Sequence, residues 1–287
     1  MHWQTTRHRI ALDQPLVMGI VNATPDSFSD GGLHADAPSA QAHCERLVRE
    51  GAHILDIGGE STRPGARTPD LAEELARVLP VLRHAVTLGV PVSVDTSRPE
   101  VMRAALDLGV DIINDVRSLA RPGALAVVAD HPACGVCLMH MNGEPGVMQR
   151  DPHYDGDVVD SVVHWLRDRR AAVVAAGVAA ERITLDPGIG FGKTAAHNWE
   201  LLRRQHVLLA LDQPLLVGWS RKSTLGQLTG RPVDGRLPAS LAAALAAVQR
   251  GAKVVRVHDV AATVDALQVW AAAGLPETTS TQGQDRP

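Results

Sequence analysis

Polar residues of several chemical kinds recur directly after short apolar runs in this chain. Asn22 opens the stretch 22–32, Asn-Ala-Thr-Pro-Asp-Ser-Phe-Ser-Asp-Gly-Gly, and Asp56 opens 56–66, Asp-Ile-Gly-Gly-Glu-Ser-Thr-Arg-Pro-Gly-Ala. Asp95-Thr96-Ser97, Asn114-Asp115 and Met139-His140-Met141 end three further runs. The remaining three run into Asp186 to Lys193, Gly218 to Ser223 and Arg256 to Asp259. Asp95, Asn114 and Asp186 offer acceptors and an amide that suit a flat heterocycle carrying several N–H donors. Asn22, Arg63, Lys222, Arg256 and His258 offer donors suited to an anion, above all a phosphate. A ligand with a heterocycle at one end and a phosphate at the other would match both groups.

These residues share a pocket only if the runs that carry them end on one face. The runs are 16–21, 53–57, 91–95, 111–115, 135–140, 182–186, 214–219 and 253–258, each short and rich in Val, Ile or Leu. Continuous apolar runs fit strands buried on both faces of a parallel sheet. Helical periodicity lies between them at 70–88, 99–108, 158–176, 237–249 and 261–272; Leu71, Leu75, Val78, Leu79 and Leu82 show the 3.6-residue repeat. Gly51, Gly89, Gly109, Gly177, Gly251 and Gly274 each follow a helical stretch, where a left-handed helix end favours Gly. Eight such units, about 34 residues apart, predict one (β/α)8 barrel with chemistry at the C-terminal strand ends. A doubly wound open sheet is the alternative. Residues 3–13 read as a short hairpin across the barrel floor, 1–276 as the barrel domain, and 277–287 as a disordered polar tail.

Three other motifs have simpler readings. The run Gly188-Ile-Gly-Phe-Gly-Lys-Thr194 approaches a nucleotide-binding P-loop, but Pro187 stands where that pattern needs Gly. Its glycines are expected to let the backbone turn tightly at a pocket wall. Cys134 and Cys137 form a C-x-x-C pair with no second pair to complete a zinc site, so they read as core cysteines. Asp95, Thr96, Ser97 and Asp259 could each be a helix N-cap, but capping does not account for eight polar strand ends together.

Composition narrows the setting. The 287 residues are 45% hydrophobic and 21% charged, which excludes a mainly disordered or collagenous chain. A net charge of −4 gives no reason to expect binding to nucleic acid or to an anionic membrane. No run of 18 apolar residues and no apolar signal segment is present, and three cysteines are an odd number, so a cytoplasmic enzyme is expected. Aromatic residues are 3% of the chain, with Tyr154 the one Tyr and Phe28 and Phe191 the two Phe.

The eight motifs, in this order from Leu16 to Trp270, closely resemble those of the dihydropteroate synthase family. The resemblance implies an α/β barrel that joins para-aminobenzoate to 6-hydroxymethyl-7,8-dihydropterin diphosphate, releasing 7,8-dihydropteroate and pyrophosphate. It implies that Asp95, Asn114, Met139, Asp186, Phe191, Gly218 and Lys222 form the pterin site. Asn22, Arg63, Arg256 and His258 would hold the diphosphate, with Asn22 also beside Mg²⁺. Phe28, Thr62, Arg63, Pro64, Lys222 and Ser223 would form the para-aminobenzoate end. Asp95, Asp186, Lys222, Arg256 and His258 are the residues expected to act in catalysis. The expected course is C–O cleavage to a cationic pterin methylene, stabilised by ionised Asp95 and Asp186, then attack by the neutral arylamine. Loops 23–37 and 61–70 are expected to act as lids over the diphosphate. The family further implies a homodimer and competition by sulfonamides; the stretch 237–248 could be core or interface. A corrinoid-dependent methyltransferase domain and a non-catalytic pterin-binding paralogue are the rival readings. The first lacks the motifs Thr24 to Phe28 and Ser220 to Lys222, and the second should have lost anion-site residues that are all present here.

Overall fold

A computed structural model describes residues 1–23, 36–60, 67–144 and 146–274. Its core is a closed barrel of eight parallel strands. They are β3 (Leu16–Asn22), β4 (Ile54–Gly58), β5 (Val92–Asp95), β6 (Ile112–Asp115), β7 (Gly135–Met139), β8 (Ile183–Asp186), β9 (Leu215–Val217) and β10 (Ala252–Val257). Pairing of β10 with β3, Val254 opposite Leu16 through Val257 opposite Gly19, closes the ring and settles the choice against an open sheet.

Helices α1 (Asp36–Arg49), α2 (Leu71–Ala85), α3 (Pro99–Asp107), α4 (Ala124–Asp130), α5 (Val158–Ala175) and α6 (Ala195–Arg203) each return the chain from one strand to the next. Two helices, α7 (Ser223–Thr229) and α8 (Leu237–Gln249), follow β9, and α9 (Val260–Ala272) follows β10. Outward side chains such as Val17, Leu55, Val94, Ile113, Val136, Leu185 and Val255 are buried beneath this helical layer. The six glycines expected at helix ends all have positive φ, from 62° at Gly274 to 101° at Gly177. Helix α2 starts with a capping box in which Asp70 accepts from Glu73 N and Glu73 reaches back to Asp70 N. None of the residues weighed as N-caps makes a side-chain cap to α3 or α9.

The N-terminal hairpin, β1 (His2–Gln4) and β2 (Arg9–Ala11), is antiparallel and closes the floor of the barrel. Trp3 and Leu12 are fully buried against the inward residues Leu16, Met18, Ile54, Ile112, Cys137, Leu216 and Val254. Trp3 Nε1 donates to the Arg182 carbonyl at 2.9 Å, so the ring is both buried and hydrogen-bonded. Asp111, fully buried before β6, accepts from the Arg7 amide and from Val92 N at 2.9 Å each, and from Arg7 Nη2 at 2.6 Å. That ion pair ties the hairpin to the rim. Cys44, Cys134 and Cys137 are free and buried, as core cysteines should be.

Candidate active site

The floor residues fix which strand positions face inward. Successive strand side chains alternate, so Leu16 and Met18 put Asn22 inside, and Ile54 puts Asp56 inside. Ile112 likewise aims Asn114 inward, Cys137 aims Met139, Leu216 aims Gly218, and Val254 aims Arg256. On β5 and β8 the outward Val94 and Leu185 leave Asp95 and Asp186 facing the interior. The C-terminal mouth is thus a ring of polar side chains stacked on an apolar plug.

Arg256 organises that ring. Its Nε donates to Asp56 Oδ2 at 2.6 Å and its Nη2 to Asp95 Oδ2 at 2.9 Å. Asn114 Nδ2 also donates to Asp56, at 3.2 and 3.3 Å to the two oxygens. Asp56 is wholly buried, so its charge depends on these partners. Burial works against the Arg256 charge, but Asp56 and Asp95 outweigh it and hold the guanidinium protonated. In the sequence Asp56 opens a motif with no sign of its role. An acid at an inward position of an apolar strand requires a cation nearby, but that cation lies 200 residues away in sequence.

Burial raises both mouth carboxylates above the free-aspartate range. Burial pushes Asp95 up to about 7, with Asp56, Asp115 and Glu60 adding to the rise and Arg256 opposing it. Burial pushes Asp186 up to about 6, opposed by the Gly188 amide and by Lys222, Lys193 and Arg256. Reference values for free aspartate ignore this loss of water. Both groups therefore change charge close to neutrality.

The loop after β8 forms one wall. Gly188 and Gly192 have φ of 68° and 63°, and a Cβ at either would overlap a carbonyl oxygen, of His140 and Asn142 respectively. Tight turning, as expected of this Gly-rich run, brings Phe191 beside Lys222. Lys222 Nζ lies over the Phe191 ring, 4.3 Å from its centroid. Burial pushes Lys222 down to about 8 while Asp186 supports its charge. The neighbouring Arg221 takes a left-handed backbone with φ of 60°. Its guanidinium holds both oxygens of Asp259, at 2.6 and 3.1 Å, and this pair fixes the turn that presents Lys222.

Ser220 Oγ and His258 Nδ1 are 3.0 Å apart, joining the ends of β9 and β10. Ser223 is exposed as the first residue of α7. Met139 lines an open groove of about 640 Å³ with Val116, Arg117, Met141 and Trp165. Phe28, Thr62, Arg63, Pro64, most of both expected lids and the C-terminal tail lie outside the described residues.

Residues 18–258 match the model of a family described as pterin binding enzyme. A dihydropteroate synthase of Neisseria meningitidis serogroup C is 54% identical over 277 residues, 95% of this chain and 98% of that protein. Two solved structures of Xanthomonas albilineans dihydropteroate synthase superpose closely. The one with 4-aminobenzoic acid has a TM-score of 0.89 and 50% identity, covering 96% of this chain and 100% of the other. The one with 7,8-dihydropteroate has a TM-score of 0.87 and 48% identity, over the same shares of the two chains.

Proposed function

This chain belongs to the dihydropteroate synthase family, and from that premise we propose how its mouth residues divide the two substrates and the reaction between them. The reaction joins para-aminobenzoate to 6-hydroxymethyl-7,8-dihydropterin diphosphate and yields 7,8-dihydropteroate and pyrophosphate. The observation that carries the reading is the inward ring of Asp95, Asn114 and Asp186 on one floor, bounded by Lys222 and Arg256.

In our reading the pterin lies flat over that ring, at the mouth and above the apolar plug. Asp95, Asn114 and Asp186 accept from or donate to its edge, and Met139, Phe191 and Gly218 line its faces. Lys222 bridges the pterin and para-aminobenzoate sites. Arg256 and His258, with Asn22 and Arg63, receive the diphosphate, while Phe28, Thr62, Pro64 and Ser223 border para-aminobenzoate. When the C–O bond breaks, its electron pair leaves with the diphosphate and the pterin methylene becomes cationic. Asp95 and Asp186, as carboxylates, stabilise that cation at short range in a low-dielectric cup. The arylamine lone pair then forms the C–N bond, and the amine releases its proton to solvent. No strong general base is needed, because the attacking amine is neutral.

Magnesium fits as a partner of the substrate. The described residues contain no cluster of three His, Cys, Asp or Glu side chains that could cage a metal. Asn22, half-buried at the end of β3, presents an amide suited to one oxygen ligand, and a hard cation commonly takes its others from phosphate and water. Bound there, Mg²⁺ would neutralise charge on the leaving diphosphate. A homodimer, finally, is supported by exposed apolar side chains around the last helices: Leu228, Val233 and Val269 are 69%, 53% and 70% exposed. Among the described residues no helix is long and apolar enough to cross a membrane.

The deciding assay follows labelled para-aminobenzoate into dihydropteroate with the pterin diphosphate present, with and without Mg²⁺. Product matched mole for mole by pyrophosphate, and dependent on Mg²⁺, is expected. Tight pterin binding without turnover would move the chain to the non-catalytic reading.

A further inference from the structure

Lys193 is 3% exposed in the pocket wall, and none of the roles above uses it. Its ammonium donates to His140 Nδ1 at 2.9 Å, to the His140 carbonyl at 3.3 Å and to the Phe191 carbonyl at 3.1 Å. These acceptors are uncharged. While Lys193 is an ammonium it can only donate, so His140 then accepts through Nδ1 and carries its proton on Nε2. The carboxylate that supports the Lys193 charge through space is Asp186. The same charge, with that of Lys222, favours the ionised form of Asp186.

The loop that Lys193 closes is held on its other side as well. Gly190 N donates to Asn198 Oδ1 at 2.9 Å, and Asn198 Nδ2 donates to Thr224 Oγ1 at 2.8 Å, two residues from Lys222. Phe191 lies between these two attachments with Lys222 over its ring. Asn198 thus links the loop to the start of α7, and Lys193 links it to the end of β7.

We propose that Lys193 is a positioning residue for the pterin half of the site: it fixes the Phe191 loop to the chain just after β7, opposite the Asn198 attachment, and places a cation beside Lys222 in the surroundings of Asp186. This deepens the reading given under Proposed function and rests on it.

The groups that face this pair come from several elements. His140 ends β7, His197 lies on α6, Lys222 precedes α7, Arg256 lies on β10 and the Cys137 thiol on β7. Burial and then Lys193 push His140 down to about 3, so it stays neutral around pH 7. His197 is lowered by the same two causes. Cys137 is raised well above the ordinary thiol range by burial, so it stays protonated. Arg256 stays charged. Burial pushes Lys193 itself down to about 7, with Asp186 opposing. The charges that change near neutrality are therefore those of Asp186 and the two lysines, with Asp95 across the mouth.

Lys193→Met and Lys193→Gln in the full chain test this. Met should raise KM for the pterin diphosphate about tenfold or more, the size expected for lost hydrogen bonds from a charged donor, with a smaller change for para-aminobenzoate. Gln can still donate to the two carbonyls and should recover part of that loss. With either variant the acid limb of kcat/KM should move to higher pH, because Asp186 loses a neighbouring cation. Gln carries the test if the Met variant does not fold. Variants that melt lower but keep both the wild-type pterin KM and the wild-type acid limb would show a merely structural lysine and overturn the proposal. A shifted KM with an unmoved limb would overturn its electrostatic half. A wild-type chain that forms no dihydropteroate would defeat the proposed reaction instead, and calorimetry of 6-hydroxymethylpterin binding to the same variants would then decide the role of Lys193.

Discussion

Arg256→Met is the most informative single change at the mouth. It removes the cation shared by Asp56 and Asp95 while roughly keeping side-chain length. Among the described residues, the fully buried Asp56 would retain the Asn114 amide as its side-chain partner, at 3.2–3.3 Å. Removing one member of a buried ion pair typically costs about 3–5 kcal/mol, because the other charge stays desolvated. For a chain of this size each kcal/mol lowers Tm by about 2–4 °C, so a fall of roughly 6–20 °C is expected. Adding Asp56→Asn removes the stranded charge and keeps an oxygen that can accept from Asn114. The double variant should therefore recover at least about 1 kcal/mol relative to Arg256→Met alone, a coupling readily seen above the ~0.5 kcal/mol scatter of independent sites. Urea denaturation of wild type, both single variants and the double variant completes the cycle. Strict additivity would refute the clamp. Pyrophosphate affinity, measured alongside, should stay low in the double variant, since stability returns but the guanidinium does not. Unchanged pyrophosphate affinity in Arg256→Met would remove this residue from the diphosphate site.

Three further outcomes are expected. The dependence of kcat/KM on pH should be bell-shaped: Asp95 and Asp186 lose their charge as pH falls through about 7 and 6, and Lys222 loses its own as pH rises through about 8. Activity that persists unchanged down to pH 4.5 would contradict the raised carboxylates. Trp3→Ala should cost about 3–5 kcal/mol, as for other buried large-to-small changes, with little effect on substrate KM because the ring lies at the floor; a loss below ~1 kcal/mol in urea melts would contradict its role as plug. Gly188→Ala should abolish pterin binding measured by calorimetry, since its methyl would overlap the His140 carbonyl and its φ is 68°. Wild-type affinity there would mean that the loop is free to move.

The eight strands could be read from the sequence because each is a compact β-branched run ended by Gly or a polar residue, and every expected window contains the observed strand or overlaps it within a residue. The long amphipathic helices were legible for the same reason. The helical windows omit α4, α6 and α7, and α1 shows in the sequence only through Gly51 after its end. α4 and α7 have seven residues each, too few for a clear period. α6 places His197, Asn198 and Trp199 in succession, which blurs its apolar stripe. Candidate ligand contacts could be read because they sit in loops of unusual composition. The clamp could not: Asp56 and Arg256 acquire their meaning only when the barrel closes and joins β10 to β3. The charge states of Asp95 and Asp186 likewise depend on a burial that no local sequence window records.

The hairpin across the floor also constrains the order of events. With Trp3 and Leu12 sealed among the lowest inward side chains, the barrel is a vessel with one opening. If the pterin sits on Asp95, Asn114 and Asp186 as proposed, the sealed floor gives it no way in from below, and an arylamine settling above it would block the mouth. On the proposed placement, traffic through the mouth would be sequential: the pterin diphosphate first, para-aminobenzoate second, and the joined product out before another cycle begins.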